Sequence, residues 1–153
     1  MAAPILNYTT QVDAGKSVGE IQAYLLRHGA RKIMLESEEG EIRGIAFALR
    51  VGDGEMGFRL PARIDSCQRS LAKQVNERII PARFNGREHA TRVAWRILKD
   101  WVAAQIALIE TGMVTTQEVF LPYLIMPEGD TLYEKMESGG FKLLKGGGEG
   151  GDC

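Results

Sequence analysis

Residues 32–60, "KIMLESEEGEIRGIAFALRVGDGEMGFRL", decide the fold of this chain. They contain three apolar segments separated by Glu39-Gly40 and by "GDGE" at 52–55. In the middle segment apolar residues occupy every second position, which predicts a strand with one buried face. These residues are Ile45, Phe47, Leu49 and Val51. Two tight turns joining three such segments predict an antiparallel meander with its other face toward water.

Helices are predicted both before and after the meander in the sequence. Ser17 and Glu20 have the spacing of a capping box that begins a first helix, and Gly29 ends it. Its apolar face is predicted to hold Ile21, Tyr24, Leu25 and His28. After the third strand, Pro61 precedes a short helix at residues 62–75.

A long helix is predicted from about residue 88 to 110, ending at Gly112. Residues 113–126 form either a short helix or a docked loop, broken by Pro122, and residues 131–140 form a last short helix. The predicted class is α+β: a helix, a three-stranded antiparallel meander, a short helix, a long helix packed on the sheet, and short C-terminal helices.

Length and composition predict one globular domain. The chain has 153 residues, of which 44% are hydrophobic and 25% charged, values typical of a folded domain. We expect residues 1–142 to form this domain and the glycine-rich residues 143–153 to form a flexible tail. Two cysteines without a spacing pattern, no signal peptide and no membrane-length apolar run predict a soluble protein of a reducing cytoplasm.

The long helix has two predicted faces. At 100° per residue, Trp101 lies at the centre of an apolar face, while Arg92, Arg96 and Lys99 lie on the opposite face. Trp95 lies at the border. It either packs under another element, as nearby Val102 and Ile106 favour, or offers a flat ring beside cations on which a base can stack.

The cations are concentrated in one part of the sequence. The net charge is −1, yet residues 59–99 contain ten basic and three acidic residues. Eight of the ten are arginines, whose planar guanidinium suits paired hydrogen bonds to phosphate. This pattern is typical of nucleic-acid binding. An acidic protein partner and a solvated surface neutralised by the acidic strands remain alternatives.

No pattern of catalytic chemistry is present in the sequence. His28 and His89 lack partners at metal-ligand spacing, and no phosphate-binding glycine loop or nucleophile motif occurs. Glu36, Glu38 and Glu41 with Asp53 lie at a strand turn, where exposed acids are common. We therefore expect a non-enzymatic protein with no cofactor and no metal.

Five stretches of the sequence carry a resemblance to small, mostly uncharacterised proteins encoded by bacteriophages and prophages. These are "YTT" (8–10), "VGEIQAYLLRHGA" (18–30), "FRLPARI" (58–64), "TRVAWRILKDWVAAQIALIETGMV" (91–114) and "EVFLPYL" (118–124). The resemblance implies a phage protein acting in the host bacterial cytoplasm. Separately, the predicted element order is similar to the double-stranded-RNA-binding-like fold, which single-strand annealing proteins of recombination share. That likeness is one of topology alone.

The leading hypothesis is a phage protein that binds nucleic acid, with single-stranded DNA favoured, in replication or recombination. In the loop at 76–87, Phe84 either stacks on a base or packs in the core. The candidate nucleic-acid-binding residues are Arg59, Arg63, Arg69, Lys73, Arg78, Arg83, Phe84, Arg87, Arg92, Trp95, Arg96 and Lys99. The alternative is an inhibitor of a host defence or regulatory protein that acts by protein–protein binding. Assembly into a homo-oligomer is a further hypothesis, and no membrane partner is expected.

Overall fold

The computed structural model describes residues 2–142. The predicted flexible tail, residues 143–153, lies outside the described residues. Five helices and three strands follow the predicted order, which confirms the α+β class. In chain order they are α1 (Ala14–Arg27), β1 (Lys32–Glu38), β2 (Glu41–Val51), β3 (Gly54–Pro61), α2 (Ile64–Asn76), α3 (Arg87–Glu110), α4 (Thr116–Phe120) and α5 (Leu132–Ser138).

The three strands form the predicted antiparallel meander in the order β1-β2-β3. Both connections are two-residue turns. Glu39 and Gly40 have φ of 53° and 77°, and Gly52 has φ of 61°. Such left-handed conformations give a tight hairpin the twist of its strands, and glycine adopts them without a steric penalty.

β2 is buried on both faces, which corrects the prediction of one wet face. Ile45, Phe47 and Leu49 enter the core as predicted, but Ala46 and Ala48 on the other face are only 5% and 8% exposed. Ala46 lies in register with the longer Met34 and Arg59, and Ala48 lies in register with Lys32 and Gly57. The Ile125 side chain of the chain after α3 lies beside Gly57 on this face.

α1 begins one turn before the predicted capping box, which is therefore wrong. The residue preceding the helix is Asp13, and Ser17 is completely buried within it. Glu20 accepts a hydrogen bond from Arg96 of α3 at 2.7 Å instead of capping its own helix. The predicted apolar positions Ile21 and Leu25 are buried.

α3 forms the centre of the helical layer and packs against both α1 and α2. The first residues of the chain form hydrogen bonds with α2 and α3. Gln74 of α2 accepts from the backbone N–H of Ile5 and donates to the carbonyl of Ala3, both at 3.0 Å. Asn7 donates to Asp100 of α3 at 2.8 Å, and this hydrogen bond lowers the pKa of Asp100.

The chain after α3 forms a docked segment, and this resolves the alternative left open for residues 113–126. α4 is followed by a 3₁₀ turn at Leu121–Tyr123. The Ile125 N–H then donates to the carbonyl of Gly57 at 2.8 Å, and Leu124 forms a bridge with Phe58. We call the described chain after α3, residues 111–142, the C-terminal segment. These contacts fix it beside β3, where it forms one wall of the site described next.

Candidate functional site

The fold divides the ten predicted cations into two groups. Six have a carboxylate within 4.0 Å: Arg59, Lys73, Arg87, Arg92, Arg96 and Lys99. All of these except Lys73 are half-buried. The other four are exposed and form no such pair within residues 2–142: Arg63, Arg69, Arg78 and Arg83.

Acidic residues of the β1–β2 hairpin supply two of the partners. Arg59 donates to Glu36 at 2.9 Å, and Arg87 donates to Glu41 at 2.9 Å. Arg87 also pairs with Asp65 of α2. These contacts lower the pKa of both Glu41 and Asp65, because each carboxylate accepts a hydrogen bond from a guanidinium. The acidic strands thus neutralise part of the cationic stretch at residues 59–99, as the alternative of a solvated, neutralised surface stated for those residues.

Trp95 and Phe84, the two aromatic candidates for base stacking, are core residues. Trp95 is fully buried, and its Nε1–H donates to the carbonyl of Ile42 at 3.0 Å. Phe84 is 6% exposed and meets the ring of Tyr8 edge-on, with centroids 5.2 Å apart. Neither ring is exposed to stack on a base. Of the two alternatives given for each residue, packing in the core is the one that the structure shows.

A groove of about 540 Å³ lies between α3 and the C-terminal segment. We call it the aromatic groove. Its volume lies within the range of about 300–1,000 Å³ typical of ligand pockets. Its lining residues are Leu60, Pro61, Arg63, Ala94, Ile97, Leu98, Trp101, Pro122, Tyr123, Tyr133 and Glu137.

Packing of the C-terminal segment orients the aromatic side chains of this groove. Phe120 is completely buried, and Trp101 meets it edge-on at 5.9 Å between centroids. Tyr123 also meets Trp101 edge-on, with 5.8 Å between the ring centroids. Trp101, predicted to be the centre of the buried face, is instead half-buried with part of its indole in the groove.

α5 supplies two of the residues that line the groove, Tyr133 and Glu137. It begins with a capping box in which the Thr131 hydroxyl accepts from the Glu134 N–H and the Glu134 carboxylate accepts from the Thr131 N–H. Tyr133 and Glu137 lie one turn apart on this helix, and the Glu137 carboxylate beside the Tyr133 hydroxyl raises the pKa of Tyr133. Both side chains are exposed and line the groove.

A second depression, which we call the basic cleft, lies at the start of α2 and has a volume of about 290 Å³. Asp65 is the one carboxylate among its lining residues. Four arginines line it: Arg43, Arg63, Arg69 and Arg87. Arg43 and Arg87 are engaged with Glu41, whereas Arg63 and Arg69 are the exposed, unpaired cations among its described residues.

Arg63 lines both the aromatic groove and the basic cleft. Together with Arg59 and Thr131, it also lines a third pocket of about 100 Å³. The fold therefore brings an aromatic surface and a cationic surface together at one side chain. Of the predicted residues, Arg63, Arg69 and Arg87 meet here, while Arg78 and Arg83 lie on the loop after α2 and do not line either depression.

Four residues of this site were missed as site residues by the sequence analysis: Trp101, Tyr123, Tyr133 and Glu137. The sequence gives only a weak indication that these four residues share a site. Two tyrosines flank the turn-rich stretch at 126–131, and nothing local indicates that this stretch docks beside β3.

Comparisons with known proteins add no identification: no family model, curated protein or solved structure matches the chain. The resemblance to bacteriophage proteins and the likeness to the double-stranded-RNA-binding-like fold stay predictions. Among the described residues no helix has the length and apolar character needed to cross a membrane. Residues 2–142 likewise contain no group of three or more His, Cys, Asp or Glu side chains arranged to hold a metal ion.

Proposed function

We propose that this protein binds single-stranded nucleic acid, with single-stranded DNA favoured, and that bases enter the aromatic groove while phosphates contact the basic cleft. The meeting of the two surfaces at Arg63 is the observation that carries the proposal. Proteins that bind single strands combine aromatic side chains, on which bases stack, with cations along the backbone path. A duplex hides the faces of its bases and does not use such a groove.

The exposed side of α2 supplies further cations beside the cleft. Arg69 and Lys73 lie one turn apart and are both exposed. Lys73 approaches Glu77 only at 4.0 Å, and such an exposed pair contributes little energy. Together with Arg63, three cations are therefore available to phosphate. The paired arginines, by contrast, would have to give up a carboxylate partner before they contact a ligand.

The resemblance to phage proteins supplies the proposed setting, which is replication or recombination of phage DNA in the cytoplasm of the host bacterium. Non-enzymatic action and assembly into a homo-oligomer are parts of the same proposal.

Fluorescence anisotropy with a labelled dT15 strand and with a 15-base-pair duplex tests the proposal. We expect tighter binding to the single strand. Its affinity should fall with salt at a slope of log K against log salt of about −2, given three phosphate contacts at ~0.7 each. Arg69→Ala should weaken binding and reduce the slope by about one contact's share.

Arg50→Ala is the matched control. Arg50 is exposed on β2 and lies in register with Glu55 near the β2–β3 turn, at the end of the sheet opposite to Pro61. The Arg50→Ala variant should leave the affinity for the single strand and its dependence on salt unchanged. No binding to either strand form would remove the proposal and make the inhibitor of a host protein the hypothesis to test. If R50A and R69A weakened binding equally, the basic cleft would no longer be part of the proposed binding surface.

A further inference from the structure

The aromatic groove contains one cation and one anion that do not pair with each other. The cation is Arg63, the residue that precedes α2, and the anion is Glu137 of α5. Within residues 2–142 neither side chain has an oppositely charged partner within 4.0 Å. Two complementary charges that line one cavity and stay apart leave room for a ligand that hydrogen-bonds to both.

We infer that the groove prefers guanine over the other bases, an inference that rests on the proposed binding of single strands. Guanine presents two adjacent acceptors, O6 and N7, which fit the two parallel N–H groups of an arginine. On its Watson–Crick edge it presents two adjacent donors, N1–H and N2–H, which fit the two oxygens of a carboxylate. Single-strand readers recognise bases through these same edges.

The other bases satisfy these two groups less well. Adenine and cytosine each offer one amino group to Glu137, and they do so beside a ring acceptor that faces the second carboxylate oxygen. Thymine offers one N–H between two carbonyl oxygens, which the carboxylate repels. The order expected from hydrogen bonding is therefore guanine first, adenine and cytosine next, and thymine last.

The surroundings of Glu137 and Arg63 suit a planar ligand. Trp101 and Tyr123 offer ring surface for stacking, and Ile97 and Leu98 line the same groove with apolar surface. Tyr133 and Glu137 lie one turn apart on α5 and line the groove together. Because Arg63 and Glu137 are exposed and water competes for both, we expect a preference of about tenfold, the lower end of what a bidentate contact gives.

Twelve-residue strands of alternating sequence measure this preference without forming G-quadruplexes. The series is (dGdT)6, (dAdT)6, (dCdT)6 and dT12, each assayed by anisotropy with the full chain. We expect (dGdT)6 to bind about tenfold more tightly than dT12. Inosine in place of guanosine removes N2–H and should lose most of the gain, and 7-deazaguanosine removes N7 and should lose part of it.

Variants assign the preference to a residue. Glu137→Gln should make the preference for (dGdT)6 over dT12 clearly smaller than tenfold, because the amide cannot accept both guanine N–H groups and no longer repels thymine, while Arg63 still contacts O6 and N7. Glu110→Gln, at the exposed end of α3, should change neither the affinity for (dGdT)6 nor the affinity for dT12. Equal affinity for all four strands, with Arg69→Ala still weakening binding, would overturn guanine preference and leave the proposed function standing. An undiminished preference in E137Q would also overturn it, whereas no binding to any strand would remove both.

Discussion

The guanidinium of Arg87, in the first turn of α3, is held by Glu41 at the first position of β2, with 2.9 Å between Arg87 Nε and Glu41 Oε2. The same guanidinium contacts Asp65 of α2. One side chain thus ties the sheet to both helices, and it forms one side of the basic cleft. The pKa of Glu41 and the pKa of Asp65 are lowered by it.

This relationship predicts an acid-sensitive stability. Both carboxyl groups have a lower pKa in the folded chain than their ordinary values of 4.5 and 3.8. Their contribution is therefore complete above about pH 5, and it is lost as the pH falls through the lowered folded-state pKa values. Glu41→Gln should reduce the free energy of unfolding at pH 7 by about 1 kcal/mol. Urea unfolding from pH 7 to pH 3 should show the variant and the wild type converging at low pH.

Glu55→Gln is the control for that experiment. Glu55 pairs with Lys32 at 3.7 Å, and the Lys32 side chain is 80% exposed. The variant should unfold like the wild type at each pH. A constant difference between Glu41→Gln and the wild type down to pH 3 would contradict the contact between Arg87 and Glu41.

The two tryptophans should respond differently to substitution. Trp95→Phe removes the donor to the Ile42 carbonyl and leaves a void in the core, so we expect a loss of about 2 kcal/mol in the free energy of unfolding. Trp101→Phe alters a half-buried residue and should lose less than about 1 kcal/mol. Urea denaturation followed by circular dichroism compares them, and equal losses would be inconsistent with the packing described above.

Trp101 should also report on ligand binding. The protein has two tryptophans, and of these Trp101 lines the aromatic groove while Trp95 is buried. Single-stranded DNA should therefore quench fluorescence in the wild type, and Trp101→Phe should abolish most of the quenching. Trp101→Ala should weaken binding by about 1–3 kcal/mol, the usual value of one stacked base. Quenching that persists in Trp101→Phe would exclude the groove as the base site.

The capping box of α5 should stabilise one wall of the groove locally. Thr131→Ala removes the acceptor for the Glu134 N–H and should cost about 1 kcal/mol. Because α5 has seven residues and no fully buried side chain, we expect the loss as faster amide hydrogen exchange in α5, with little change in global unfolding. Thr131→Ser keeps the hydroxyl and serves as the control. Unchanged exchange in Thr131→Ala would show that packing alone holds the helix.

Local patterns were sufficient to predict the elements of this fold. The alternation around Phe47 and the turn at Glu39-Gly40 predicted the meander, and the helical spacing predicted α3 to within a residue at its start. The capping spacing of Ser17 and Glu20 was misleading, because a serine inside a helix and a serine at its start leave the same local pattern. Burial of Ser17 against other elements distinguishes the two, and burial is a property of the whole fold.

The site depended on contacts that no local pattern contains. Arg59 and Arg87 looked like free cations until the hairpin brought Glu36 and Glu41 to them. Trp101 looked like a core residue because helical spacing gives a direction on the helix and says nothing of what covers it. The aromatic groove exists because the segment after α4 docks beside Gly57, more than sixty residues earlier in the chain.

Arg63 occupies the N-cap position of α2, and no side chain caps that helix. The backbone of Arg63 has φ of −85° and ψ of 71°, and the Ile64 N–H donates to the Ala62 carbonyl at 3.0 Å, so the chain makes a three-residue turn just before α2. This conformation differs from the extended backbone of a usual N-cap residue. The entry into α2 is therefore set by a backbone turn, and the side chain of Arg63 has no capping role and lines both depressions.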